Sequence, residues 1–404
     1  MASGLCGKNT SGKLDEHNKM TEGSKQQDAI ATDADKQLSV VMPCETKIFR
    51  VPQDLCSPAE KLKWKGFLLE SGRKLEGYHL AYSTCGKLNA ARNNAVWIFH
   101  ALTANSEPRE WWSGLVGAGK LFDPAKHFIV CVNTPGSCYG SIGPLDVDPA
   151  TGKPFYHHFP FFTTRDLIRS YEPLRRFLGI EKIWMGIGGS MGGQQLLEWA
   201  IEQPNLFEHI IPIATNAQHS PWGIAFNTTQ RMAIEADATW QQPSANAGLA
   251  GMKAARALAL LSYRSYEGYA LTQANNDSQL QIVDAGESGR GAASYQRYQG
   301  QKLANRFNAY SYYTLTKTMD SHHVGRGRQS VEAALQRITA HTLVIGIDSD
   351  VLFPLSEQQF LAAHIPGARF AAISSHFGHD GFLLEFEVIE KIIHQFLDEP
   401  SPTG

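Results

Sequence analysis

Six short apolar runs stand out along the chain: Val96-Trp97-Ile98-Phe99, Phe128 to Val132, Ile183 to Ile187, Ile210 to Ile213, Leu343 to Gly346 and Phe370 to Ile373. Strands with one wet face alternate apolar and polar residues, whereas strands covered on both faces read as unbroken runs of this kind, so a mostly parallel sheet is predicted. Between the runs lie helical periods at Arg165 to Phe177, Met191 to Gln203 and Phe382 to Leu397. The last has apolar residues at 382, 383, 386, 389, 392, 393 and 396, one stripe of an amphipathic helix. Upstream, Phe67-Leu68-Leu69 and Leu75 to Tyr82 flank Ser71-Gly72-Arg73 and predict an antiparallel hairpin.

This alternation specifies an α/β architecture, with functional groups expected at the carboxyl ends of the strands. It breaks between Ala217 and Arg328, where helical patterns (Phe226 to Ala236, Gly251 to Tyr269) and a polar segment near Asp284 to Gly291 replace the strand runs. Residues 217–328 are therefore expected to form a helical cap inserted into a core of residues 46–216 and 329–400. Residues 1–45 are rich in Ser, Gly, Asp, Lys and Gln, without the apolar stretch of a signal peptide, and read as a flexible tail. No Arg precedes Arg50, which argues against a transit peptide.

Composition narrows the function. The 404 residues carry 37 Lys and Arg against 39 Asp and Glu, a formal charge of -2, so no electrostatic excess draws the protein to nucleic acid or anionic lipid. The apolar runs fall far short of the roughly 20 residues that span a bilayer. Cys6, Cys44, Cys56, Cys85, Cys131 and Cys138 show neither CxxC nor zinc spacing and read as reduced thiols of a cytoplasmic protein. Cys138 alone sits in a Gly-rich turn, where a catalytic thiol has to be weighed against a small packing residue. No metal-ligand cluster or dinucleotide fingerprint is present, so neither a metal nor a resident cofactor is expected.

Gly188-Gly189-Ser190-Met191-Gly192 joins the run Ile183 to Ile187 to a helical period. A GxSxG in this setting is a nucleophile elbow: the serine sits on a tight strand-to-helix turn, and the glycines avoid clashes with neighbouring backbone. A serine hydroxyl needs a base to take its proton and an acid to orient that base. Asp350 follows the strand at Leu343, with Asp348 as an alternative, and His379 follows the strand at Phe370, with His376 as an alternative. Backbone N–H groups of Met191, at the helix start, and of Leu102, in the loop after Phe99, are placed to stabilise an oxyanion.

His100-Ala101-Leu102-Thr103, the stretch from Trp112 to Asp123, Cys138-Tyr139-Gly140, Gly188 to Gly193 running into Leu197 to Ala200, Gln230 to Ile234, Ser349-Asp350 with Leu352-Phe353-Pro354, and Gly378-His379-Asp380 together resemble the homoserine O-acetyltransferase family. The resemblance runs in order over roughly residues 60 to 397. It implies an α/β-hydrolase fold with a cap and a Ser190–Asp350–His379 triad, which resolves both alternatives. It further implies acetyl-CoA as cosubstrate and L-homoserine as acceptor, with ping-pong transfer serving methionine biosynthesis. Arg231 would hold the acceptor carboxylate and Asp380 its ammonium group, and the protein would be a homodimer through cap helices.

Both binding roles suit a zwitterion. The plainer readings are a solvated Arg231 on an amphipathic helix, and an Asp380 that caps a helix starting near Phe382. Ser137 and Ile142 stand where Gly and Thr are common in the family, and Ala104-Asn105 replaces a frequent Gly. These departures keep succinyl-CoA as donor and serine as acceptor in view, beside an esterase that uses water.

Overall fold

The computed structural model describes residues 44–274 and 291–399. The expected tail, up to residue 43, and residues 284–290 of the expected polar segment lie outside the described residues.

Eight strands form one sheet: β1 (Glu45–Val51), β2 (Tyr78–Cys85), β3 (Ala95–Phe99), β4 (Phe128–Val132), β5 (Ile183–Gly189), β6 (Phe207–Ile213), β7 (His341–Ile347) and β8 (Arg369–Ile373). They lie in the order β1-β2-β4-β3-β5-β6-β7-β8. β2 is antiparallel to both its neighbours, and every pairing from β4 onward is parallel. All six runs predicted as strands belong to this sheet. Their unbroken apolar character has the expected cause, because the two faces feed two separate cores. Trp97, Phe99, Val130, Ile210 and Val344 pack on one side with Trp199 and Leu196, and Val96, Ile98, Ile129, Met185, Ile187 and Ile345 pack on the other with Ile389 and Ile393.

Two helices of the core are α1 (Thr164–Phe177) and α2 (Met191–Glu202). Between β6 and β7 come α3 (Pro221–Glu235), α4 (Leu249–Tyr263), α5 (Tyr266–Thr272), α6 (Gly291–Ala304) and α7 (Ala309–Asp320); α8 (Leu355–His364) and α9 (Phe386–Asp398) complete the core.

Four expectations need correction. The helix predicted over Gly251 to Tyr269 is two, because Ser265 adopts an extended conformation and its hydroxyl accepts from Gly268 N–H, starting α5 afresh. The final helix begins at Phe386, since Gly378–Leu383 forms a 3-10 turn first. The hairpin is confined to Phe67–Leu68 against Lys74–Leu75, while Tyr78 onward belongs to the main sheet. Finally, Cys44 and Cys85 are joined in a disulfide and are not reduced thiols. They are 41 residues apart in sequence, and the antiparallel register that pairs Glu45 with Thr84 brings their Cα atoms to 4.5 Å. Cys56, Cys131 and Cys138 are free, and Cys6 lies outside the described residues.

Candidate active site

Ser190 follows β5 and caps α2 at φ 57° and ψ −126°, a conformation that costs of order 1–3 kcal/mol for a residue with a side chain. Its surroundings hold it there. Ser190 N–H donates to Ile213 O at 3.0 Å, Ser190 O accepts from the Thr215 hydroxyl at 2.8 Å, and Gln194 N–H closes the first turn of α2 on the same oxygen. The glycines are needed for space: a Cβ on Gly192 would lie 2.2 Å from Phe99 O, and one on Gly188 would lie 2.7 Å from the Gly192 backbone. β3, β5 and α2 therefore meet backbone to backbone, which lifts the Ser190 side chain to the carboxyl end of the sheet.

On the neighbouring loops, His379 Nδ1 lies 2.6 Å from Asp350 Oδ2. The other Asp350 oxygen accepts N–H groups of Leu352 and Phe353 at 2.8 and 2.9 Å, so the carboxylate is fixed before it meets the imidazole. Asp348 is exposed and accepts from Ser375 N–H, and His376 is exposed; of the candidate pairs, only Asp350 and His379 meet. Burial of the imidazole opposes its charged form, but Asp350, by charge and hydrogen bond, together with the charge of Asp380, outweighs this and raises the His379 pKa above the usual 6.5. With Nδ1–H directed at Asp350, Nε2 is left as the basic nitrogen. Phe353 stacks on the ring at 5.0 Å between centroids, and Phe382 meets it edge-on at 5.4 Å. The Phe382 ring also closes on Gly189, where an added Cβ would lie 2.4 Å away, so it forms a wall common to the elbow and the imidazole. Trp112, fully buried, donates its indole N–H to Phe382 O at 3.0 Å and anchors that wall.

The Leu102 N–H finds no backbone acceptor among the described residues, and Met191 stands at the first position of α2, where helix N–H groups are unpaired. His100 shapes this loop. Its Nε2 accepts Thr134 N–H at 2.9 Å, so its proton must lie on Nδ1, which donates to Ala101 O at 2.8 Å. Burial pushes its pKa down to about 4 and keeps it neutral. From the opposite side, Arg306 donates to Thr103 O at 2.6 Å and to the Tyr139 hydroxyl, tying the segment between α6 and α7 to the loop of Leu102. Burial also pushes the Cys138 thiol up to about 11, which removes it as a nucleophile at neutral pH.

Arg231, on α3, is not solvated: its side chain is 12% exposed and its Nη2 lies 2.6 Å from Asp320 Oδ2 on α7. Asp380 lies inside the 3-10 turn and does not cap α9; its Oδ2 is 3.0 Å from Arg264 Nε. The structure thus joins Arg231 to Asp320 and Asp380 to Arg264. Asp320, Arg264, Arg306 and the His100–Thr134 bond are not legible in sequence, because each depends on a partner from a distant segment. Among the described residues, Cys44, Cys85 and Glu107 are the one grouping of possible metal ligands within 4.8 Å, and its two sulfurs are bonded to each other.

Residues 94–386 match the alpha/beta hydrolase fold family. A homoserine O-acetyltransferase of Cyclobacterium marinum is 48% identical over 328 residues, covering 81% of this chain and 92% of that protein. The chain belongs to the homoserine O-acetyltransferase family. As a member it is an acyltransferase of α/β-hydrolase fold. The solved homoserine O-acetyltransferase from Bacillus anthracis superposes with a TM-score of 0.79 at 23% identity, over 89% of this chain and 99% of that one. Esterase E22 gives 0.77 at 22% identity, over 88% and 100%. At such identities the likeness is one of fold, and transferase and esterase share it.

Proposed function

We propose that the protein transfers an acetyl group from acetyl-CoA to the side-chain hydroxyl of L-homoserine, through an acetyl-Ser190 intermediate. The observation that carries this reading is the 2.6 Å Asp350–His379 hydrogen bond beside the strained Ser190 elbow, in a chain of this family. His379 Nε2 takes the Ser190 proton as Oγ attacks the thioester carbonyl, and the N–H groups of Leu102 and Met191 receive the developing oxyanion. Collapse breaks the C–S bond, the thiolate leaves with the proton from His379, and CoA departs as the free thiol. Homoserine then enters with its carboxylate on Arg231 and its ammonium on Asp380. Its hydroxyl gives its proton to His379 and attacks the acetyl-enzyme, and Ser190 recovers a proton on leaving. No metal ion or resident cofactor is required, because the thioester supplies the activation. O-acetylhomoserine is an activated intermediate on the route to methionine, and an enzyme that consumes acetyl-CoA is placed in the cytoplasm.

Trp222 and Met232 on α3, Leu261 on α4 and Leu271 on α5 are more than half exposed, and such apolar surface on the cap supports a homodimer formed there. Among the described residues no helix is long and apolar enough to cross a membrane.

The deciding experiment mixes the protein with acetyl-CoA or succinyl-CoA without acceptor and measures its intact mass. One acetyl group on Ser190, discharged by homoserine to O-acetylhomoserine, is the expected result. Modification by succinyl-CoA alone replaces the donor, and discharge by serine in preference to homoserine replaces the acceptor. Hydrolysis that homoserine does not accelerate turns the reading to an esterase.

A further inference from the structure

Arg231 is tied on one edge and open on the other. Asp320 Oδ2 takes its Nη2 at 2.6 Å, while its Nη1 is buried with no hydrogen-bond partner among the described residues. Asp320 is itself held: its Oδ1 accepts from Asn227 Nδ2 at 2.8 Å, and the same amide nitrogen lies 3.1 Å from His219 Nε2. Burial lowers the His219 pKa to about 4, so the ring is neutral. Its Nδ1 lies 3.3 Å from the amide nitrogen of Gln194 on α2, one turn beyond Ser190, and that nitrogen donates to Asn216 Oδ1 at 3.1 Å.

A buried donor left unpaired is costly, so an unmatched guanidinium nitrogen within a network tied to the nucleophile helix calls for an anionic partner. We propose that Asp320 is a positioning residue: it fixes the Arg231 guanidinium through Nη2 so that Nη1 is held open for the carboxylate of an amino-acid acceptor. This rests on the acceptor reading given above. An arginine has four side-chain torsions and would otherwise have to be ordered at each binding event; here Asp320 and Asn227 order it in advance. With Asp320 and Asp380 balanced by Arg231 and Arg264, the four side chains sum to zero charge, which suits a zwitterion and disfavours an acceptor with only one of its two charges.

The test compares Asp320→Asn with wild type on two acceptors, homoserine and 3-aminopropan-1-ol, which is homoserine without its carboxylate. The expected result for homoserine is a KM raised by about 10- to 100-fold with kcat changed by less than about threefold. With 3-aminopropan-1-ol the variant and wild type should have the same kcat/KM to within about twofold, and Asp320→Glu should recover part of the loss. An unchanged homoserine KM, or an equal loss on both acceptors, overturns the positioning role. If Asp320→Asn does not fold, Asp320→Glu carries the same two-acceptor comparison. Wild-type protein that forms the acetyl-enzyme yet transfers nothing to homoserine overturns the acceptor reading, and this inference with it.

Discussion

The Ser190 elbow and the proposed acceptor side of the site are built by opposite means. The elbow is contiguous: β5, the turn at Ser190 and the start of α2 carry their own instructions, and glycines let three backbones touch. The acceptor side is assembled from afar, with Arg231 meeting Asp320 across two helices and Asp380 meeting Arg264 across the junction of α4 and α5. Contiguous chemistry leaves a motif, whereas assembled chemistry leaves only charged residues whose partners the fold alone reveals.

If the elbow is where covalent chemistry occurs, its loss has the largest effect. Ser190→Ala should lower kcat by at least about 10⁴-fold and abolish the acetyl adduct in intact mass. Asp350→Asn should come close to it, because an amide at Oδ2 favours the wrong imidazole tautomer. A Ser190→Ala protein that still carries acetyl would move the nucleophile elsewhere.

The second test addresses how the elbow is held. Gly192→Ala brings in a Cβ that would lie 2.2 Å from Phe99 O unless one of the two backbones gives way, and a cost of about 2–4 kcal/mol is expected in urea unfolding. A loss below about 0.5 kcal/mol would mean that β3 and α2 yield readily, and the elbow would be no more rigid than the acceptor side.

The smallest effect links the two regions. The Asp380 charge helps to raise the His379 pKa, and acylation needs the imidazole neutral, so activity is lost as pH falls through that pKa. Asp380→Asn removes part of the stabilisation of the imidazolium and should move the acid limb of acylation to lower pH. The burst of p-nitrophenol from p-nitrophenyl acetate, without acceptor, measures this. An unmoved limb would show the acceptor side to be electrically separate from the base.

The same contrast governs what is legible in the sequence. The strand runs reveal the sheet because burial on both faces leaves a one-dimensional trace, and Ser190 is legible because GxSxG follows a strand; the strand ends offer Asp348 beside Asp350 and His376 beside His379, and only the family resemblance chooses between them. The break at Ser265 is hidden, since the apolar period continues through it while a single hydroxyl restarts the helix. The pairing of Cys44 with Cys85 is hidden for a related reason: antiparallel register, not spacing, makes them neighbours.

The break at Ser265 also bears on engineering. Its hydroxyl donates to His376 O at 2.5 Å, Tyr263 lies against the His379 ring with centroids 5.7 Å apart, and a Cβ on Gly378 would press within 2.8 Å of the Arg264 backbone. The helical insertion is thus built into the loop that carries His379, so it is not an interchangeable module. Chimeras that graft the insertion of a related esterase onto this core should keep residues 263–265 with the recipient's histidine loop, or they will alter acceptor choice and turnover together.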